Sequence, residues 1–229
     1  MSKFAQLDGQ SIIIESAMDE IVTEGLAQNI IDSFIKAAQA FYQKIIEFID
    51  WVSEKFRNIS SVKSSEVIKQ ISAKTVDIYL NKKNKAIVNK AITEFDGISN
   101  KFKQKLDNLF SMLRQSNLDG IQPLLASIGD CAGGLNKVQS ELKEVEDGGL
   151  VSSPCSDLYA LNSIKSEFKN IKDCAEIVNK HSEDVKNMNR GLLGPIQKVI
   201  TKQRECVSLL IRLYSHDIAV YEKLMTTSS

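Results

Sequence analysis

The sequence predicts an all-α fold, an elongated antiparallel bundle of long helices with near-heptad seams. Apolar residues recur in steps of three and four over stretches of some thirty residues, the period of a helix with one buried side. The chain has only three prolines, Pro123, Pro154 and Pro195. Each interior proline would remove a hydrogen bond and clash with the turn before it, so wide spacing favours long helices. Aromatic residues make up 7% of the chain, a small share for a sheet protein.

The first segment, about Ser11 to Arg57, divides at Gly25 into a short acidic helix and a strongly amphipathic one over 27–57. In the second of these, Ile31, Phe34, Ile35, Ala38, Phe41, Tyr42, Ile45, Ile46, Phe48, Ile49, Val52 and Phe56 form one stripe. Asn58-Ile-Ser-Ser61 reads as a break. From Ser64 to Leu80 a further helix is expected, although Val76-Asp-Ile-Tyr-Leu80 alternates enough to suit a strand. The helix over 84–115 is the clearest, with Ile87, Ala91, Phe95, Ile98, Phe102, Leu106, Leu109 and Leu113 along one line.

Residues 116–134 carry Gly120, Pro123, Gly129, Gly133 and Gly134 and read as a short helix between turns. A second short helix through Leu135, Val138, Leu142 and Val145 ends at Asp147-Gly-Gly149. Ser153-Pro154 reads as an N-cap with proline at the first helical position, opening a helix through Leu158, Leu161, Ile164, Phe168 and Ile171 to Met188. Gly191-Leu-Leu-Gly-Pro195 breaks it, and a last helix runs over 195–225. Rods of roughly thirty residues are about 45 Å long at 1.5 Å per residue and pack lengthwise at shallow angles. The chain thus divides into an acidic segment 1–26, an aromatic-rich amphipathic helix 27–60 and a helical bundle 61–229.

Lys and Arg number 29 and Asp and Glu also 29, so the overall field selects no partner. The charge is uneven along the chain. Residues 1–30 carry net −4, and residues 60–115 carry eleven bases against five acids. The basic block could touch nucleic acid or acidic lipid, but lysines solvating the outer face of helices is the favoured reading. The opening residues lack a basic n-region and an extended apolar core, so no secretory signal is expected. No apolar stretch reaches the roughly 18 residues of a spanning helix, so no integral membrane span is expected.

Chemistry-bearing motifs are sparse. Cys131, Cys155, Cys174 and Cys206 are scattered without a C-x-x-C, and His181 and His216 lie far apart. No metal site is expected from such spacing, since zinc ligands come in clusters. Gly129-Asp-Cys-Ala-Gly-Gly134 is the one glycine-rich loop, and no Lys-Ser or Lys-Thr follows it to cradle a phosphate. Cys131, at a loop before a helix, is the one candidate reactive thiol. No nucleophile–base pair, catalytic residue or cofactor motif is found, so the chain reads as non-enzymatic.

The stretch Gln28–Arg57 carries a wide face with Phe34, Phe41, Tyr42, Phe48, Trp51 and Phe56. It is the candidate face for a protein partner or a membrane surface. Its polar side is charge-balanced, whereas interfacial membrane helices are usually basic there, which favours protein.

An acidic opening (Glu15-Ser-Ala-Met-Asp-Glu20, then Val22-Thr-Glu-Gly25) leads into Phe34-Ile-Lys-Ala-Ala and Phe41-Tyr-Gln-Lys-Ile-Ile-Glu-Phe-Ile-Asp-Trp51. Over about the first 60 residues this resembles the internal head and minor virion structural proteins of large tailed bacteriophages. The resemblance implies an acidic leader cut after a hydrophobic-x-Glu triplet. Ile13-Ile-Glu15, Met18-Asp-Glu20 and Val22-Thr-Glu24 fit that triplet, making Glu15, Glu20 and Glu24 candidate processing positions. It further implies a virion-interior protein touching other virion proteins or DNA. Phosphate contacts would then come from Lys82, Lys83, Lys85, Lys90, Lys101, Lys103 and Lys105, blind to base sequence. A zero net charge departs from a DNA-condensing core protein.

Two other classes stay open. One is a membrane-active, pore-forming helical protein, for which Ile121–Leu135 is the only candidate hairpin. The other is a cytoplasmic coiled-coil adaptor that binds partners through its helical faces or self-associates as a homo-oligomer.

Overall fold

The computed structural model describes residues 27–62, 65–115, 120–158 and 190–227. In chain order these form α1 (Ala27–Val62), α2 (Ser65–Ser72), β1 (Thr75–Ile78), α3 (Lys82–Arg114), α4 (Ile121–Asp147), β2 (Val151–Pro154) and α5 (Arg190–Thr227). Four of the helices are long, and helices pack against one another as an all-α chain requires. A short ribbon is added, β1 pairing antiparallel with β2 with Thr75 opposite Pro154 and Ile78 opposite Val151.

The ribbon corrects two expectations. Residues 64–80 are not one helix, because α2 stops at Ser72 and Thr75–Ile78 is a strand. Ser153-Pro154, expected to open a helix, closes β2, and a 3-10 turn over residues 155–158 follows it directly. Pro154 is tolerated there because it ends the strand, where a missing N–H costs no ladder bond. The Ser153 hydroxyl instead donates to Asp157 Oδ2 at 2.5 Å, and the Cys155 N–H donates to Lys74 O at 2.8 Å. The helix expected beyond Leu158 lies outside the described residues, as does the segment 1–26.

Three further breaks turn out to be helix. Asn58-Ile-Ser-Ser61 continues α1. These residues cost only about 0.5 kcal/mol each relative to alanine, and no glycine or proline stands among them. Gly129–Gly134 lies inside α4, one unbroken helix of 27 residues. Its three glycines cost about 1 kcal/mol each. Burial of Leu125, Ile128, Ala132, Leu135, Val138, Leu142 and Val145 on one side outweighs that, at about 1.5–3 kcal/mol for each large side chain. Pro123 sits in the first turn, where an N–H has no helical partner anyway. Gly191–Pro195 lies within α5. Pro195 removes one bond, to the Gly191 carbonyl, while Leu193, Ile196 and Val199 are buried on both sides of it and hold the helix in place.

Asn81 caps α3, its side chain accepting the Asn84 N–H at 2.8 Å, so this helix opens at Lys82 rather than at 84. Gly148 ends α4, followed by Gly149 at φ +72°, a left-handed residue that glycine adopts without strain. On α3 the stripe residues Ala91, Phe95, Phe102, Leu106 and Leu109 are buried, joined by Val88, Ile92 and Phe110. Ile87, Ile98 and Leu113 pack against the core's edge.

Polar contacts give the helix directions. Lys90 meets Glu141 at 2.8 Å, Lys137 meets Glu94 at 3.4 Å, and Lys105 donates to Ser127 O at 2.5 Å. As the α3 number rises the α4 number falls. Gln203 Nε2 donates to Ser99 Oγ at 2.9 Å, and Asp217 takes the backbone just before α3. Between α4 and α5 the Arg212 guanidinium grips Glu146 through two bonds of 2.7 and 3.1 Å. The helix α1 docks on α5, where Lys55 meets Glu222 at 2.5 Å. One continuous apolar cluster runs from Ile35 through α3 and α4 to Met225.

Candidate functional site

The densest polar constellation lies where the ribbon hands over to α3 and both touch α5. Asp217 has 0% exposure in the middle of the apolar face of α5. Its Oδ1 accepts the Tyr79 N–H at 3.0 Å and its Oδ2 the Leu80 N–H at 2.9 Å. These donors lie in the connection from β1 to α3, which no ladder serves, and the carboxylate satisfies them. His216 Nδ1 lies 3.1 Å from the same Oδ1, and its ring meets Tyr79 edge-on with centroids 5.0 Å apart. Asn84 Nδ2 donates to Tyr79 O at 2.6 Å, closing the turn from the other side.

Lys85, one turn into α3, is half-buried, and burial lowers its ammonium pKa, opposed by the fields of Asp157 and Asp217. Burial also raises the Asp217 carboxyl above the usual value, opposed by its bonds from His216, Tyr79 and Leu80. The arrangement can hold a carboxylate in a dry corner and position the chain around it. An imidazole that serves as general base in acyl transfer faces a nucleophile. Here the described imidazole contacts are a carboxylate and the side of a phenol ring.

Three cysteines, Cys131, Cys155 and Cys206, are buried thiols. Burial raises all three, Cys206 to about 12. The expectation that Cys131 sits in a reactive loop is corrected: it lies mid-helix in α4, with Lys105 Nζ at 3.8 Å, and desolvation outweighs that cation. Cys174 and His181 fall outside the described residues. Among the described residues no three His, Cys, Asp or Glu side chains gather into a metal ligand set.

On the aromatic stretch, Phe41 and Phe48 are buried in the chain's own core, and Tyr42 and Trp51 pack half-buried against it. Phe48 stacks on Trp51 at 5.8 Å, and Lys55 Nζ sits 5.9 Å from the Trp51 ring centroid. Phe34 and Phe56 lie in α1, but their side chains are outside the described set, as are Glu15, Glu20 and Glu24.

The seven lysines are not brought onto one stripe. At about 100° per residue, Lys83, Lys90, Lys101 and Lys105 fall on the flank of α3 beside α4, whereas Lys85 and Lys103 fall on the opposite flank. Lys90 pairs with Glu141 and Glu94, and Lys105 is tied to Ser127. Lys82, Lys83, Lys101 and Lys103 are exposed.

Sequence reasoning missed Asp217, although a signal existed. The α5 stripe steps through Leu210, Leu213, Asp217 and Tyr221, and an acid in an apolar slot marks a buried polar contact. No protein family, curated protein or solved structure matches the chain.

Proposed function

We propose that the chain is a non-enzymatic helical protein that acts through protein contacts in the interior of a tailed-phage virion. One observation carries the non-enzymatic part. The side chains that chemistry would use are spent on the fold: Asp217 and His216 on the ribbon corner, Gln203 on Ser99, and Cys206 on the Leu135 carbonyl. The virion setting rests on the resemblance of the first 60 or so residues and on the triplets ending at Glu15, Glu20 and Glu24. The whole is read as an elongated antiparallel bundle presenting mixed-charge helix flanks, Lys83 and Lys101 on one side of α3 and Lys103 on the other. Such flanks suit protein partners better than a DNA groove, because Glu94 and Glu141 interrupt the basic side. No helix among the described residues is long and apolar enough to cross a membrane.

Mass spectrometry of purified particles from the native source tests the reading. The expected result is the chain inside the particle, beginning after Glu15, Glu20 or Glu24. Its absence from particles overturns the virion setting, and turnover abolished by substituting Asp217 or His216 overturns the non-enzymatic one.

A further inference from the structure

We infer that the ribbon is a clasp for the α3–α4 pair and that Asp217 is its bolt, through which α5 keeps the clasp shut from end to end. The order of the elements carries it. β1 stands just before α3 and β2 just after α4, so pairing the two strands joins the ends of everything between them. The Cys155 N–H, donating to Lys74 O at 2.8 Å, extends that pairing one step past Thr75 and Pro154.

Left to itself such a ribbon is weak. Two short strands are marginal without a third strand or a helix to lie on. Closing so long a stretch of chain also costs entropy before any strand bond forms. Each strand is four residues long and buries one of them, Ile78 in β1 and Ser153 in β2. The tie to α5 is made where β1 ends. There the Asp217 carboxylate, from 138 and 137 positions further along the chain, accepts the Tyr79 and Leu80 N–H groups at 3.0 and 2.9 Å.

Two oxygens meet two successive donors, which is what a carboxylate can do and a carboxamide cannot. Asparagine has one oxygen and would turn its own N–H groups toward the second donor. Since neither strand is held by its own burial, release at Tyr79 and Leu80 should run the length of the ribbon rather than stop at the corner. Ile78 pairs with Val151 at the end near Asp217, and Thr75 with Pro154 at the other. The Cys155 N–H, beyond that far end, is therefore the remote reporter of the clasp.

The test is native-state amide hydrogen exchange in the full chain, wild type against Asp217→Asn. Protection of the Tyr79 and Leu80 N–H groups is expected to fall roughly tenfold to hundredfold, the effect of taking an acceptor from buried donors. The Cys155 N–H should fall by a similar factor, while the Leu135 amide in the middle of α4 holds within about threefold. Unchanged protection at Tyr79, Leu80 or Cys155 overturns the clasp. An equal fall at Leu135 overturns it too, because Asp217 would then support the whole fold and not the ribbon. Should Asp217→Asn not fold, the wild-type chain decides alone. With urea raised below the unfolding transition, the Tyr79, Leu80 and Cys155 amides should share one opening free energy and one urea slope, both smaller than those of Leu135. Separate slopes, or exchange only through global unfolding, overturn the proposal.

Discussion

Three glycines of α4 sit in the same helical backbone and differ in what stands beside them. A Cβ at Gly134 would lie 2.9 Å from Ile98 Cδ1 and 3.4 Å from Cγ1, whereas nothing stands within 4 Å of a Cβ at Gly129 or Gly133. Gly134 is thus where α3 and α4 approach closely. Gly134→Ala should gain less than the full helix propensity difference, because the terminal methyl of half-buried Ile98 has to turn aside. The same change at Gly129 or Gly133 should stabilise by roughly 0.5–1 kcal/mol, the helix propensity difference alone. Urea midpoints of the three variants read the contrast directly, and equal effects at 133 and 134 would contradict the close approach. The thiol of Cys206, raised to about 12 by burial, should resist alkylation near pH 8 in the folded chain and react once urea unfolds it, as peptide mapping would report.

Between elements, the α3–α5 contact carries a polar pair inside an apolar seam, Ser99 with Gln203, both nearly unexposed. Ser99→Ala leaves the Gln203 amide without that acceptor and should cost about 1–3 kcal/mol. Replacing both, Ser99→Ala with Gln203→Leu, should recover most of the loss. A double variant no better than the single one would show that the hydrogen bond is not the source. Neither residue stood out in the sequence, because a serine or glutamine in a long helix is ordinary and its partner lies 104 positions away. The same distance problem hid the ribbon. Val76-Asp-Ile-Tyr-Leu80 alternates, but its pairing partner Val151–Pro154 is four residues long, too short to show a period and carrying a Ser-Pro that locally favours a helix start. Periodicity was a good guide wherever burial came from one continuous stripe, as in α3. Glycine and proline signals misled at Gly129–Gly134 and Gly191–Pro195, where local breakers are overruled by packing visible only in three dimensions.

At the scale of the molecule, the question is whether α1 belongs to the same cooperative unit as α3, α4 and α5. The apolar cluster says that it does, since Ile35, Phe41, Ile45, Phe48 and Val52 join the core that contains Leu135 and Tyr221. The chain supplies its own reporter. Its only tryptophan, Trp51, lies on α1, half-buried against that core, while far-ultraviolet circular dichroism sums over all helices. In a single cooperative transition the two signals should trace the same urea curve. Leu135→Ala, a deep truncation on α4 facing α5, should lower stability by about 2–5 kcal/mol and move both curves together, although Trp51 is on another helix. If the fluorescence curve stays in place while the dichroism curve shifts, α1 is an independently melting arm. Its aromatic stretch would then be available to a partner rather than committed to the chain's own interior.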